Sequence, residues 1–149
     1  MTLQATPATA QERTVTTAHG LIDLSNEECL RLLSTHRPRL GRLAFTSQGR
    51  VLVFPMNFVM VDRCIYFRTA PGSKLLAALR VDRVTFEIDH VDEIWREGWS
   101  VLAFGRLRQV TDPDELADVA RRPLRPWAAG DRPHFLRMDI DDVSGRRIE

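Results

Sequence analysis

A mainly β fold, five or six antiparallel strands closed into a small barrel with short helices between them, follows from three features of this 149-residue sequence. From Gly41 onward, short runs rich in Val, Ile, Leu and Phe recur between turn residues such as Gly, Pro, Asn and Asp. Helical patterning is confined to three brief segments. Closing the sheet, fully or as a split barrel, removes edges that would otherwise recruit other strands.

Residues 1–23 are rich in Thr, Ala, Gln and Pro without apolar periodicity, and are expected to form a flexible tail ahead of a single domain over 24–149. Helix start signals follow at once: Ser25 can cap a free backbone N–H, and Glu28 can reach back in a capping box. Pro38 ends that helix, because its ring cannot continue the ladder. GRLAFT, RVLVFPMNFVMV and CIYFRT then read as three strands in two hairpins, turning at Ser47-Gln48-Gly49 and at Asp62-Arg63. SKLLAALR reads as a short helix, RVTFEID and GWSVLAFGRLRQV as strands. Asp112 and Pro113 are suited to cap and open a helix over DELADVARR. PHFLRMDID is the expected last strand, with VSGRRIE as a short tail.

The second strand is apolar on both faces, which calls for something covering each side. Pro55 within it marks an edge or a bulge, since proline cannot donate to a ladder. Backbone groups around Pro55, Met56 and Asn57 are therefore candidates for a ligand, and the same strand for contact with a second subunit.

Composition narrows the function classes. The net charge is +1, with Arg and Asp interspersed, which argues against a nucleic-acid surface. Cys29 and Cys64 lack metal or disulfide spacing, which fits a reducing cytoplasm. Neither a membrane span nor the apolar core of a secretion signal is present in the sequence, so a cytoplasmic protein is expected. Asp89, His90, Asp92 and Glu93 read as a solvated polar run and not as a metal site.

Lys74 is the only lysine of the chain, beside twenty arginines. It lies in Arg68-Thr69-Ala70-Pro71-Gly72-Ser73-Lys74, between a strand end and an expected helix start. Unpaired N–H groups at a helix start, the hydroxyls of Thr69 and Ser73, and the charges of Arg68 and Lys74 suit one phosphate group. Helix capping by Ser73 with a solvated Lys74 is the plainer alternative. The spacing is not that of a nucleotide-triphosphate loop.

The ordered series GRLAF, FPMNFVM, IYFRTAPGSK, VTFEIDHVDE, GWSVLAFGRLRQVTDP and VSGRRI resembles the pyridoxamine 5′-phosphate oxidase-like family of FMN-binding split barrels. The resemblance implies a six-stranded antiparallel split barrel, and a homodimer with FMN in clefts between subunits. It implies hydride or electron transfer to a small-molecule substrate. It assigns the cofactor phosphate to Thr69, Ser73 and Lys74 with Arg68 alongside, and the flavin ring to Pro55, Met56 and Asn57. Trp99, with Ser100 and Val101, is placed by it at or near the cleft and the dimer contact, while Trp127 either covers the ring or packs. The arginine and histidine pattern that holds a vitamin B6 substrate is missing, Arg137 near His134 being all the C-terminal part offers. The chain thus resembles more closely the shorter branch of flavin or deazaflavin oxidoreductases, with an 8-hydroxy-5-deazaflavin coenzyme as the alternative to FMN. A non-catalytic flavin store, carrier or sensor, or an empty barrel acting through its dimer surface, are the other readings.

Overall fold

The computed structural model describes residues 16–17, 20–70, 74–124 and 134–148. Two short strands, β1 (Thr16–Thr17) and β2 (Leu21–Asp23), precede helix α1 (Asn26–Thr35). The capping box forms as the sequence requires: Glu28 N donates to Ser25 Oγ at 3.2 Å, and Ser25 N donates to Glu28 Oε2 at 3.0 Å. Cys29 and Leu33, one turn apart, are the buried face of α1.

Strands β3 (Leu40–Ser47), β4 (Arg50–Val61) and β5 (Cys64–Thr69) form the two expected hairpins. Their turns carry left-handed residues at Gln48, Gly49 and Asp62. A 3₁₀ helix (Lys74–Arg80) follows, then β6 (Val84–Asp92) and β7 (Glu97–Gln109). Helix α2 (Pro113–Ala120) begins as expected: Asp112 accepts from Glu115 N at 2.9 Å and Pro113 stands in the first turn. The last strand, β8, runs from His134 to Ile148.

The strand order is β1-β2-β8-β5-β4-β3-β6-β7, and β7 pairs back onto β8. Six strands thereby close into a barrel, with β1 and β2 added beside the C-terminal half of β8. Buried Leu43, Phe58, Phe67, Phe86, Ile88, Val101, Leu136 and Met138 fill the main core. Phe86 meets Phe58 and Phe67 edge-on, at 4.9 and 5.1 Å between ring centroids. A second, smaller core lies outside the barrel wall, where Val119 and Leu124 cover Val59, Tyr66, Val110 and Phe135.

Two boundaries differ from the sequence expectation. Leu21–Asp23, read as tail, pairs with Arg146–Ile148. VSGRRIE, also read as tail, continues β8 as far as Ile148, flanked by β7 on one side and β2 on the other. The polar letters of that segment hid a strand whose residues alternate between two environments.

The second core rests on a polar network. Glu115 accepts from Tyr66 Oη at 2.9 Å and from Arg137 at 2.8 Å, with Arg108 at 3.3 Å. Arg137 also donates to Asp139 at 2.7 Å. Burial pushes Glu115 up, but the hydrogen bonds from Arg137 and Tyr66 outweigh it and hold the carboxyl below its ordinary value. A depressed folded-state value means that the stabilisation is complete above the unfolded carboxyl range near 4.5 and is lost as pH falls through the folded value. Glu115→Gln should therefore lower stability at pH 7 by roughly 1–2 kcal/mol and flatten the loss of stability below about pH 4.5. Urea unfolding at pH 7 and pH 4 tests this; equal acid sensitivity in both proteins would contradict it.

Candidate functional site

The barrel is split along one seam. β4 and β5 pair from Val61–Cys64 only as far as Phe58–Phe67. Continuing that register would set Asn57 opposite Arg68 and Met56 opposite Thr69. The ladder stops instead, and Arg68 and Thr69 pair on their other side with Phe135 and His134 of β8. Among the described residues, Arg50–Asn57 of β4 keeps β3 on one side and has no strand on the other. Proline is tolerated at Pro55 for this reason: it lies where the sheet has an edge, as a residue without an N–H requires.

This seam brings together most of the sequence-predicted residues that are described. Met56 is buried, Asn57 half-buried and Pro55 exposed along the β4 edge. Arg68 and Thr69, both half-buried, end β5 across the gap. The backbone of Lys74 opens the 3₁₀ helix that follows. Ser73, the Lys74 side chain and Trp127 lie outside the described residues. The opening therefore combines a one-sided backbone edge, an apolar side chain, a hydroxyl and a guanidinium.

Trp99 stands elsewhere in the chain. Its β7 position is three strands from Asn57, roughly 14 Å by strand spacing. There it lies in register between His90 and Arg147, and the His36 ring meets it edge-on at 5.4 Å. His90, Asp92, Glu97, Gly98, Trp99, Arg147 and Ile148 line a cleft of about 470 Å³. His36 is held below its ordinary value chiefly by burial.

Other candidates are accounted for by the packing. Arg137 is committed to Glu115 and Asp139 and leaves no phosphate-binding pattern beside His134. Asp89 accepts from Arg42 at 2.7 Å, on the sheet face opposite to His90. Cys29 is buried and Cys64 half-buried, and burial raises both thiols. Among the described residues no group of three or more His, Cys, Asp or Glu is placed to hold a metal ion, and no helix is long and apolar enough to cross a membrane.

An antiparallel barrel closed by β7 on β8, opened between β4 and β5, and flanked by a strand end that leads into a short helix defines a split barrel of the pyridoxamine phosphate oxidase-like kind. The sequence model described as pyridoxamine 5′-phosphate oxidase matches residues 25–147, and the chain belongs to that family. Rv0080 of Mycobacterium tuberculosis, an uncharacterized protein, is 30% identical over 136 residues, 88% of this chain and 88% of that protein. An FAD binding protein from Mycobacterium smegmatis is 38% identical, with a TM-score of 0.75 over 85% of this chain and 98% of that one. An FAD-binding protein from Mesorhizobium loti is 26% identical, with a TM-score of 0.69 over 87% and 99% of the two chains.

One residue of this region escaped the sequence reading. Arg39 precedes β3, and its carbonyl accepts from Phe58 N at 3.1 Å, next to the Leu40–Asn57 pair. It belongs to no motif, and nothing in its neighbours in sequence marks it.

Proposed function

We propose that this chain is a flavin-dependent oxidoreductase whose cofactor lies in the seam between β4 and the end of β5, acting on a small-molecule substrate as a homodimer. The observation that carries the reading is the early end of the β4–β5 ladder, which leaves the edge at Pro55–Asn57 facing Arg68 and Thr69 at the end of β5. In this reading Lys74, Arg68, Thr69 and Ser73 hold phosphate, while Met56 and the backbone of Pro55 and Asn57 line the ring. Pro55 contributes a carbonyl but no N–H at that edge. The redox chemistry would be the flavin's own, and the protein's part is to bind, orient and shield it. The resemblance in sequence implies FMN, with a deazaflavin as alternative; the two relatives described as FAD-binding favour FAD, which we adopt. Absorbance of the purified protein in the flavin bands, then mass of the released cofactor, tests the binding. Bleaching by NADPH or reduced deazaflavin separates an oxidoreductase from a flavin store or sensor, which would stay oxidised.

The homodimer is supported by the outer face of the sheet. Val51 and Val53 are 71% and 56% exposed, and register places half-buried Ala44, Phe104 and Leu102 on the same face, beside Thr85 and the Arg42–Glu87 ion pair. Exposed apolar side chains grouped on one sheet face mark an interaction surface. A contact between Trp99 and the cofactor would then come from the second copy. Val53→Glu should convert a dimer to a monomer at micromolar concentration and reduce flavin retention, as read by light scattering and absorbance. A wild-type protein that is monomeric with its flavin bound would contradict the shared cleft.

A further inference from the structure

Four arginines are half-buried among the described residues: Arg39, Arg68, Arg137 and Arg147. Arg137 is paired with Glu115 and Asp139, and Arg147 lies close enough to Glu28 to help hold that carboxyl down. Arg39 and Arg68 have no ion-pair or side-chain hydrogen-bond partner among the described residues. Taking a charge partly out of water without a counter-charge is costly, and it persists where a ligand supplies the missing charge. Arg68 ends β5 at the seam, and Arg39 lies across β4 from it, on the β3 side, one strand or roughly 5 Å from Asn57 and Phe58. Burial, then the like charge of Arg37, pulls Arg39 below its ordinary value, and a guanidinium remains charged nonetheless.

The charge balance distinguishes the two. A phosphate monoester carries roughly −1.5 to −2, which Arg68 and Lys74 together match. The two singly charged phosphates of a dinucleotide carry about as much. Arg39 is therefore surplus to the cofactor, and its place beside the ring-lining strand suits it to a second anion.

We propose that Arg39 docks the substrate, and that the substrate is an acidic small molecule presenting a carboxylate or an equivalent anion near the flavin ring. The assignment rests on the flavin reading above. A planar guanidinium binds a carboxylate through two parallel hydrogen bonds, which would orient the substrate as well as hold it.

Benzoate is a suitable probe, because its binding can be followed by calorimetry with the protein as purified, while flavin uptake is followed separately by absorbance. Wild type should bind benzoate saturably, Arg39→Gln should bind it at least roughly tenfold more weakly, and Arg39→Lys should stay within about threefold of wild type. Flavin affinity should stay within about twofold in both variants. Failure of wild type to bind benzoate, equal affinities for wild type and Arg39→Gln, or a matching loss of flavin affinity would each overturn the proposal. So would conversion to a monomer with benzoate affinity unchanged, which would make Arg39 a subunit contact. If wild type takes up no flavin yet binds benzoate through Arg39, the flavin reading fails and the anion site stands.

Discussion

Gly105→Ala is expected to cost about 3 kcal/mol or more of stability, enough to lower the melting temperature by roughly 6–12 °C in a domain of this size. A Cβ at this position would fall 1.9 Å from the carbonyl oxygen of Asp139 and 2.9 Å from its carbonyl carbon. The obstacle is backbone, so no side-chain rotation relieves it. Gly105 also adjoins the register shift at which Phe104 faces Asp142 and Gly105 faces Ile140, a bulge that leaves Asp141 as the extra residue of β8. That bulge bends the longest strand of the barrel as it passes from β5 to β2. Gly49 offers the contrast, with no atom within 4 Å of an added Cβ. A Gly105→Ala protein that melts with wild type would show that β7 and β8 approach less closely than described.

Lys74→Ala is expected to weaken flavin binding by about 1.5–3 kcal/mol, roughly 10- to 150-fold, the scale of a charged hydrogen bond. No second lysine exists to substitute for it. Arg68, at the end of β5, would still face the phosphate, so binding should be weakened and not abolished. Riboflavin, which lacks the phosphate, should bind the two proteins equally. Flavin fluorescence titration measures both ligands; an unchanged FAD or FMN affinity in a folded variant would refute the phosphate role.

Much of the fold was legible because local chemistry and global structure agree. Ser25 with Glu28, and Asp112 with Pro113, name helix starts through hydrogen bonds that hardly depend on the rest of the molecule. The hairpins were legible for the same reason, since their turns are local. The end of β8 was not: Ser144, Gly145, Arg146 and Arg147 look like a tail. Gly145 is needed there because a Cβ would come within 2.8 Å of Cys29 Sγ and 3.0 Å of the Ser100 carbonyl oxygen, a constraint that the docked helix α1 and strand β7 create together.

The candidate site was legible in part, for a related reason. Pro55 announced an edge, and the phosphate-like segment announced itself by residue type. That the two face one seam depends on where the β4–β5 ladder stops, which no single segment encodes. The separation of Trp99 from Met56 and Asn57 follows from strand order, β4-β3-β6-β7, and could not be read from its motif. Arg39 was invisible because its distinguishing property is a missing partner, a fact of the whole fold.

The proposed function stands or falls on a flavin held in the seam between β4 and β5. Mass spectrometry of the small molecules released from the purified protein, with its visible absorbance, tests this most directly. The expected result is a yellow protein that releases FAD at about one per chain and rebinds it through Lys74. A colourless protein that takes up none of FAD, FMN or a deazaflavin coenzyme would contradict it.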